Sequence, residues 1–188
     1  MTPMKQLHID FDEIQKAMED TARDAFDYFL DRETGEVVIL SEDIMNKARA
    51  VLEESFDEDM ADFDGVEFDE EQEIPEWMED EIELALDIFL DNEDRYVRIP
   101  ERSPLQGYAA MREFTEGLEN IQLKNELLMI LDGKGVFRRF KDTLELYPKE
   151  RKQWYGFNAK LSKKEIMEWL GYIGIERETI RERQQRAN

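Results

Sequence analysis

The chain has no cysteine, one histidine and, across residues 1 to 94, only 6 Lys/Arg beside 33 Asp/Glu. The missing thiols rule out disulfides, thiolate catalysis and Cys-ligated metals, and they fit a reducing compartment. The one histidine, His8, lies between Leu7 and Ile9, so triad chemistry and a His-built zinc site both lack their parts. His8 is therefore assigned a structural role. No apolar run approaches the roughly 18 residues of a membrane span, and Met1-Thr2-Pro3-Met4-Lys5 lacks the apolar stretch of a signal peptide. A soluble, cytoplasmic protein without membrane contact is expected. Neither the Walker-type nor the dinucleotide-type glycine motif is present, and no cofactor is called for.

What the chain does have is acid, distributed unevenly. Its net charge is −22 over 188 residues; residues 1 to 94 sum to −27, and residues 95 to 188, with 19 Lys/Arg against 14 Asp/Glu, to +5. Phosphate attraction rests on counterion release by Lys and Arg, so direct nucleic-acid binding by the surface as a whole is disfavoured, and only the C-terminal half suits a polyanion. The acidic half suits a basic protein partner. Opposite charges on two halves also permit self-association. An apolar content of 41% in this length supports one domain with its own core.

Hydrophobic spacing sketches an α+β fold. Phe11, Ile14 and Met18 predict a helix over 10–23 started by Asp10. Two β-prone runs within 27–40, about a polar turn holding Gly35, predict a hairpin. Ser41 caps a helix to about 54 that carries Ile44, Ala48, Val51 and Leu52; Pro75 opens another with Met78, Ile82, Ala85 and Phe89. Arg95-Tyr96-Val97-Arg98-Ile99-Pro100 predicts a third strand beside the hairpin. The C-terminal half is mostly helical: 104–118 after Ser103, 121–131, 137–147 halting at Pro148, and a last helix begun by a Ser162/Glu165 capping box and ended at Gly174. One domain is expected over 1–176, with an acidic insertion at about 55–75 and a charged tail at 177–188.

Within the insertion, Asp62-Phe63-Asp64-Gly65 has the middle of an EF-hand loop. The frame that makes Gly65 the sixth position puts Met60 at the first, where a carboxylate is needed, so no metal site is assigned. With 47 acids, pairs of carboxylates carry no weight as catalytic dyads.

The block Gly133-Lys134-Gly135-Val136-Phe137-Arg138-Arg139-Phe140-Lys141-Asp142 is different in kind. Two glycines permit close backbone approach, a helix start offers free N–H groups, and Lys134, Arg138, Arg139 and Lys141 add positive charge, which together suit a phosphate, a carboxylate or an acidic partner. The structural alternative is an interhelical turn whose cations meet carboxylates, with Asp142 four residues after Arg138 and Glu145 four after Lys141. Downstream, Trp154, Tyr155 and Phe157 are either aromatic platforms or core; core is favoured. No catalytic residue is assigned.

Taken in order, the hairpin Tyr28-Phe29-Leu30-Asp31 to Thr34-Gly35-Glu36-Val37, the strand Arg95–Pro100, the 133–142 block, Trp154-Tyr155-x-Phe157, and Glu168-Trp169-Leu170 with Gly174-Ile175-Glu176 resemble a bacterial family catalogued as uncharacterised. The resemblance spans about residues 7 to 176 and implies a small cytoplasmic α+β protein, with no activity carried over. This chain departs from the family pattern at Val136 and in the length of its acidic insertion. The function expected is therefore a non-enzymatic binding or adaptor protein whose acidic surface meets a basic partner; the alternative is an enzyme or sensor holding a phosphorylated small molecule at Gly133 to Lys141.

Overall fold

The computed structural model describes residues 6–56 and 74–182. Almost all of the expected acidic insertion, with its EF-like run, lies outside the described residues. Among those described are seven α-helices, a three-stranded antiparallel sheet and a two-stranded parallel one, an α+β fold with a helical C-terminal half. The chain divides into two compact units, one comprising Met1–Pro100 with Thr179–Asn188, the other Glu101–Glu178.

In the first unit, Asp10 caps helix α1 (Phe11–Glu19), its carboxylate accepting from the N–H groups of Asp12 and Glu13. The helix stops short of residue 23 because Asp20 turns extended and accepts from the Ala22 N–H and, at 2.5 Å, the Tyr28 hydroxyl. The hairpin forms as β2 (Phe26–Asp31) and β3 (Val37–Ser41), and β4 (Tyr96–Arg98) pairs antiparallel along the other edge of β2. Gly35 in the turn has φ +80°, and a Cβ there would stand 2.5 Å from the His8 carbonyl oxygen, so only glycine fits. Helices α2 (Glu42–Phe56) and α3 (Glu76–Phe89) pack on the sheet through the stripes the spacing marks: Ile44, Ala48 and Val51 meet Met78, Ile82 and Ala85, beside Phe29, Val38 and Tyr96. A strand not read from sequence, β1 (Leu7–Ile9), buries Leu7 and Ile9 and exposes His8.

The partner of β1 is β5 (Ile180–Glu182), in parallel with Leu7 opposite Ile180. It follows a 3₁₀ turn at Arg177–Thr179, so the stretch 177–182 of the expected tail carries ordered structure. Three residues near each end of the described chain are thereby drawn into one unit, which no local pattern announces.

The second unit is a helical bundle of α4 (Pro104–Glu116), α5 (Ile121–Leu131), α6 (Val136–Glu145) and α7 (Pro148–Tyr172). Ser103 and Gln106 form a capping box with Pro104 in the first turn. The core centres on Phe114, Phe140 and Trp154, with Leu123, Leu127 and Leu144 fully or nearly fully buried around them. Pro148 both ends the preceding run and begins α7, which continues unbroken through 162. Ser162 is buried in that helix rather than capping a new one, and Glu165 is instead held by Arg102 at 3.1 Å. At the far end, Gly174 takes φ +83°, and Ile175 N–H donates to the Leu170 carbonyl while Gly174 N–H donates to that of Gly171, a Schellman closure with Leu170 and Ile175 buried together.

Candidate functional site

Helix α5 ends at Asp132, and Gly133-Lys134-Gly135 carries the chain into α6. Gly135 occupies the N-cap position in the left-handed region (φ 64°) and offers no side-chain cap, which leaves the N–H groups of Val136, Phe137 and Arg138 unpaired within the helix. The first intrahelical bond runs from the Arg139 N–H to the Gly135 carbonyl. Around this helix start the predicted cations diverge. Arg138 is 90% exposed and sits 3.7 Å from Asp142, the i,i+4 pair read from sequence. Arg139 folds back over the turn: its guanidinium lies 3.5 Å from the Lys134 carbonyl and would be 3.1 Å from a Cβ on Gly133. Gly133 thus makes room for a side chain of the protein itself. Lys134 and Lys141 are exposed, and among the described residues neither makes an ion pair. The turn gathers Gly133, Lys134, Gly135, Arg138 and Arg139; Lys141 stands apart on the following turn of the helix.

Trp154 and Tyr155 are adjacent in sequence and opposite in environment. The indole of Trp154 lies edge-on to Phe114 (5.2 Å, 67°) and Phe140 (5.0 Å, 70°) and is stacked with Phe157 at 6.1 Å, so its faces belong to the core. Tyr155, 61% exposed, points outward.

An open groove of about 710 Å³ runs between the C-terminal end of α4 and the first half of α7. Phe114, Leu118 and Phe157 contribute its apolar surface; Lys149, Glu150 and Lys160 stand on the α7 wall, Glu113 on α4 and Glu119 in the turn that follows it. At Gly156 a side chain would meet nothing within 4 Å, so that wall is open to close approach. Sequence reasoning missed this groove because its walls come from residues thirty and more apart.

In the first unit the acids divide into two populations. Asp31 is buried and accepts two hydrogen bonds from Arg95, at 2.7 and 3.1 Å, and one from the Glu33 N–H. Burial alone would raise its pKa; the Arg95 guanidinium and the turn N–H groups outweigh that and hold the carboxyl below the usual range. Arg95 also reaches Glu33 and lies over the Tyr96 ring, so this cluster ties the hairpin turn to β4. The second population is solvated. On α3, Glu76, Asp80, Glu83 and Asp87 recur at four, three and four residues along an exposed face, and Trp77 beside them is 70% exposed. Trp77 falls outside the Met78–Ile82–Ala85 stripe, which was the available signal that it faces outward.

No helix of the described residues is long and apolar enough to cross a membrane. Comparison with known proteins gives one family: residues 66–182 match the model of an uncharacterised protein family, UPF0158. No curated protein and no solved structure matches the chain.

Proposed function

The chain belongs to that uncharacterised family, and we propose that it acts as a non-enzymatic binding or adaptor protein whose acidic surface holds a basic partner. The observation that carries this reading is the exposed face of α3, where four carboxylates and Trp77 stand side by side in a unit of −23, with 34 Asp/Glu against 11 Lys/Arg. Charge steers encounter with a cationic surface, while an exposed indole supplies the apolar anchor that charge alone lacks. The glycine turn at 133–135 supports a ligand site less well, because Arg139 fills the space its first glycine opens and Asp142 answers Arg138. We take the protein to act in the bacterial cytoplasm, a setting that the absence of cysteine fits.

The test is a pull-down with the full chain and with a variant carrying Glu76→Gln, Asp80→Asn, Glu83→Gln and Asp87→Asn. The wild type is expected to retain basic proteins at about 0.1 M salt and to release them near 1 M, where the Debye length falls to about 3 Å. Equal recovery of basic proteins by the variant, or none by either protein, sinks the reading.

A further inference from the structure

We propose that the outer face of α7 binds single-stranded nucleic acid, with Arg151, Lys152 and Lys163 on its phosphates and Tyr155 stacked on a base. Residues 151–164 are the longest stretch of the chain without Asp or Glu, in a sequence where 47 of 188 residues are acidic. All five charged residues in it are cations, and all five are exposed. Arg151, Tyr155, Ala159 and Lys163 recur every four residues and form a ridge about 18 Å long at 1.5 Å per residue, with Lys152 alongside. At about 100° per residue Glu150 and Glu168 fall on the opposite side of the helix, while Glu165 is held by Arg102 at 3.1 Å. None of the ridge residues, nor Lys152, lines the groove with α4, so the carboxylates of that groove are not part of this face. Among the described residues neither Arg151 nor Lys152 makes an ion pair.

The cations call for a polyanion, and the uncharged residues decide which. Those exposed within 151–164 are Gln153, Tyr155, Gly156 and Ala159, so the face has no aliphatic anchor of the kind that protein interfaces and membrane surfaces use. Tyr155 is 61% exposed, and Ala159, one turn on, is too small to cover its ring. A single strand offers phosphates and open base faces together, whereas a duplex keeps its base faces stacked. A side chain at Gly156 would meet nothing within 4 Å, so packing does not require a glycine there, and its bare backbone admits a close approach.

The chain's −22 opposes a polyanion at long range, so binding is weak. A dissociation constant on the order of 0.1 mM is expected near 0.1 M salt, where a Debye length of about 10 Å screens the distant acids. Three phosphate contacts give log K a slope of about −2 against log salt, so affinity falls about tenfold from 0.1 to 0.3 M. This face belongs to the second unit and stands apart from the acidic surface proposed above, so either can fail alone.

Fluorescence anisotropy of a labelled oligouridylate of about 12 nucleotides, titrated with the full chain, tests this, with far-UV circular dichroism to confirm that each variant is folded. Lys152→Glu/Lys163→Glu is expected to lose binding at least tenfold, and Lys152→Gln/Lys163→Gln to fall between it and wild type. Tyr155→Ala should weaken binding about fivefold or more and leave the salt slope unchanged, because it removes stacking and no charge. The charge-matched control Lys134→Glu/Arg138→Glu, on the α5–α6 turn and the start of α6, should stay within about twofold of wild type. No anisotropy change up to about 0.5 mM protein overturns the inference. So does a control that loses as much as the α7 pair, or an α7 pair that binds like wild type. A duplex of the same length bound as tightly as the single strand, with Tyr155→Ala silent, overturns the stacking contact and with it the single strand. Displacement of the RNA by an equal concentration of a polyglutamate peptide, again with Tyr155→Ala silent, overturns it in favour of an acidic protein.

Discussion

Replacing Trp154 by Ala takes an indole that is 9% exposed out of contact with Phe114, Phe140 and Phe157. A buried Trp contributes roughly 150–250 Å² of surface, worth about 4–6 kcal/mol at 25 cal/mol per Å², and measured Trp-to-Ala changes in cores cost about 3–5 kcal/mol. A loss near 4 kcal/mol is expected, lowering the melting temperature by about 8–16 °C for a chain of this size. Tyr155→Ala, one residue on, is expected to cost less than about 1 kcal/mol because most of its ring is already in water. Urea denaturation followed by circular dichroism compares the two, and a Phe114→Leu/Trp154→Leu cycle should return a coupling of about 0.5–1.5 kcal/mol. If Tyr155→Ala costs as much as Trp154→Ala, or Trp154→Ala costs under about 1 kcal/mol, the orientation of α7 is wrong, and Trp154 returns as a ligand platform.

Gly35→Ala should destabilise by at least about 2 kcal/mol, the left-handed backbone costing about 1–2 kcal/mol before the approach to the His8 carbonyl is relieved; equilibrium unfolding by urea checks it, and a neutral result would refute the turn. Asp31 binds a proton less readily folded than unfolded, so its contribution is complete above the unfolded value of about 3.9 and disappears as pH falls below it. Asp31→Asn should therefore lower stability at neutral pH by about 1–3 kcal/mol and flatten the loss of stability below about pH 4, both read from denaturation curves across pH. Arg138→Ala and Arg139→Ala are expected to leave stability within about 0.5 kcal/mol and to show no difference from wild type in a thermal-shift assay with inorganic phosphate. A phosphate-dependent rise lost in either variant would reopen the small-molecule reading.

The helices that carry one clean stripe were legible because local spacing alone fixes their buried face: Ile44, Ala48 and Val51 in α2, Met78, Ile82 and Ala85 in α3, with Ser103-Pro104 marking the start of α4. The hairpin and its third strand were legible for the same reason. What escaped was non-local. Strands β1 and β5 are three residues each and pair across almost the whole chain, and Ile180-Arg181-Glu182 has too little apolar content to signal a strand. In α7 a correct motif was spent elsewhere: Ser162 and Glu165 have capping-box spacing, yet Arg102 claims the glutamate and the helix runs through. Because the phase of α7 is set from Pro148, the sequence could not separate buried Trp154 from exposed Tyr155. The glycine turn was legible as a helix start, but the return of Arg139 onto it depends on a rotamer that no sequence pattern specifies.

Glu42 and Asp43 in α2 and Glu76 and Glu79 in α3 sit in first turns where the helix dipole favours them, but the acids further along these two helices are poorly placed for stability, and that bears on the proposed function. Like charges stand at i,i+4 in α3 between Glu76 and Asp80, Glu79 and Glu83, and Glu83 and Asp87, each such pair costing about 0.2–0.5 kcal/mol. Neither α2 nor α3 has a basic residue in its last turn; instead Glu53 and Glu54 close α2 and Asp87 lies near the end of α3, where the helix dipole is already negative. Asp31, by contrast, is buried, hydrogen-bonded and paired, so the same unit uses a carboxylate efficiently where structure requires one. The like-charge pairs on the solvent face of α3 are the cost that the cationic partner proposed above would relieve.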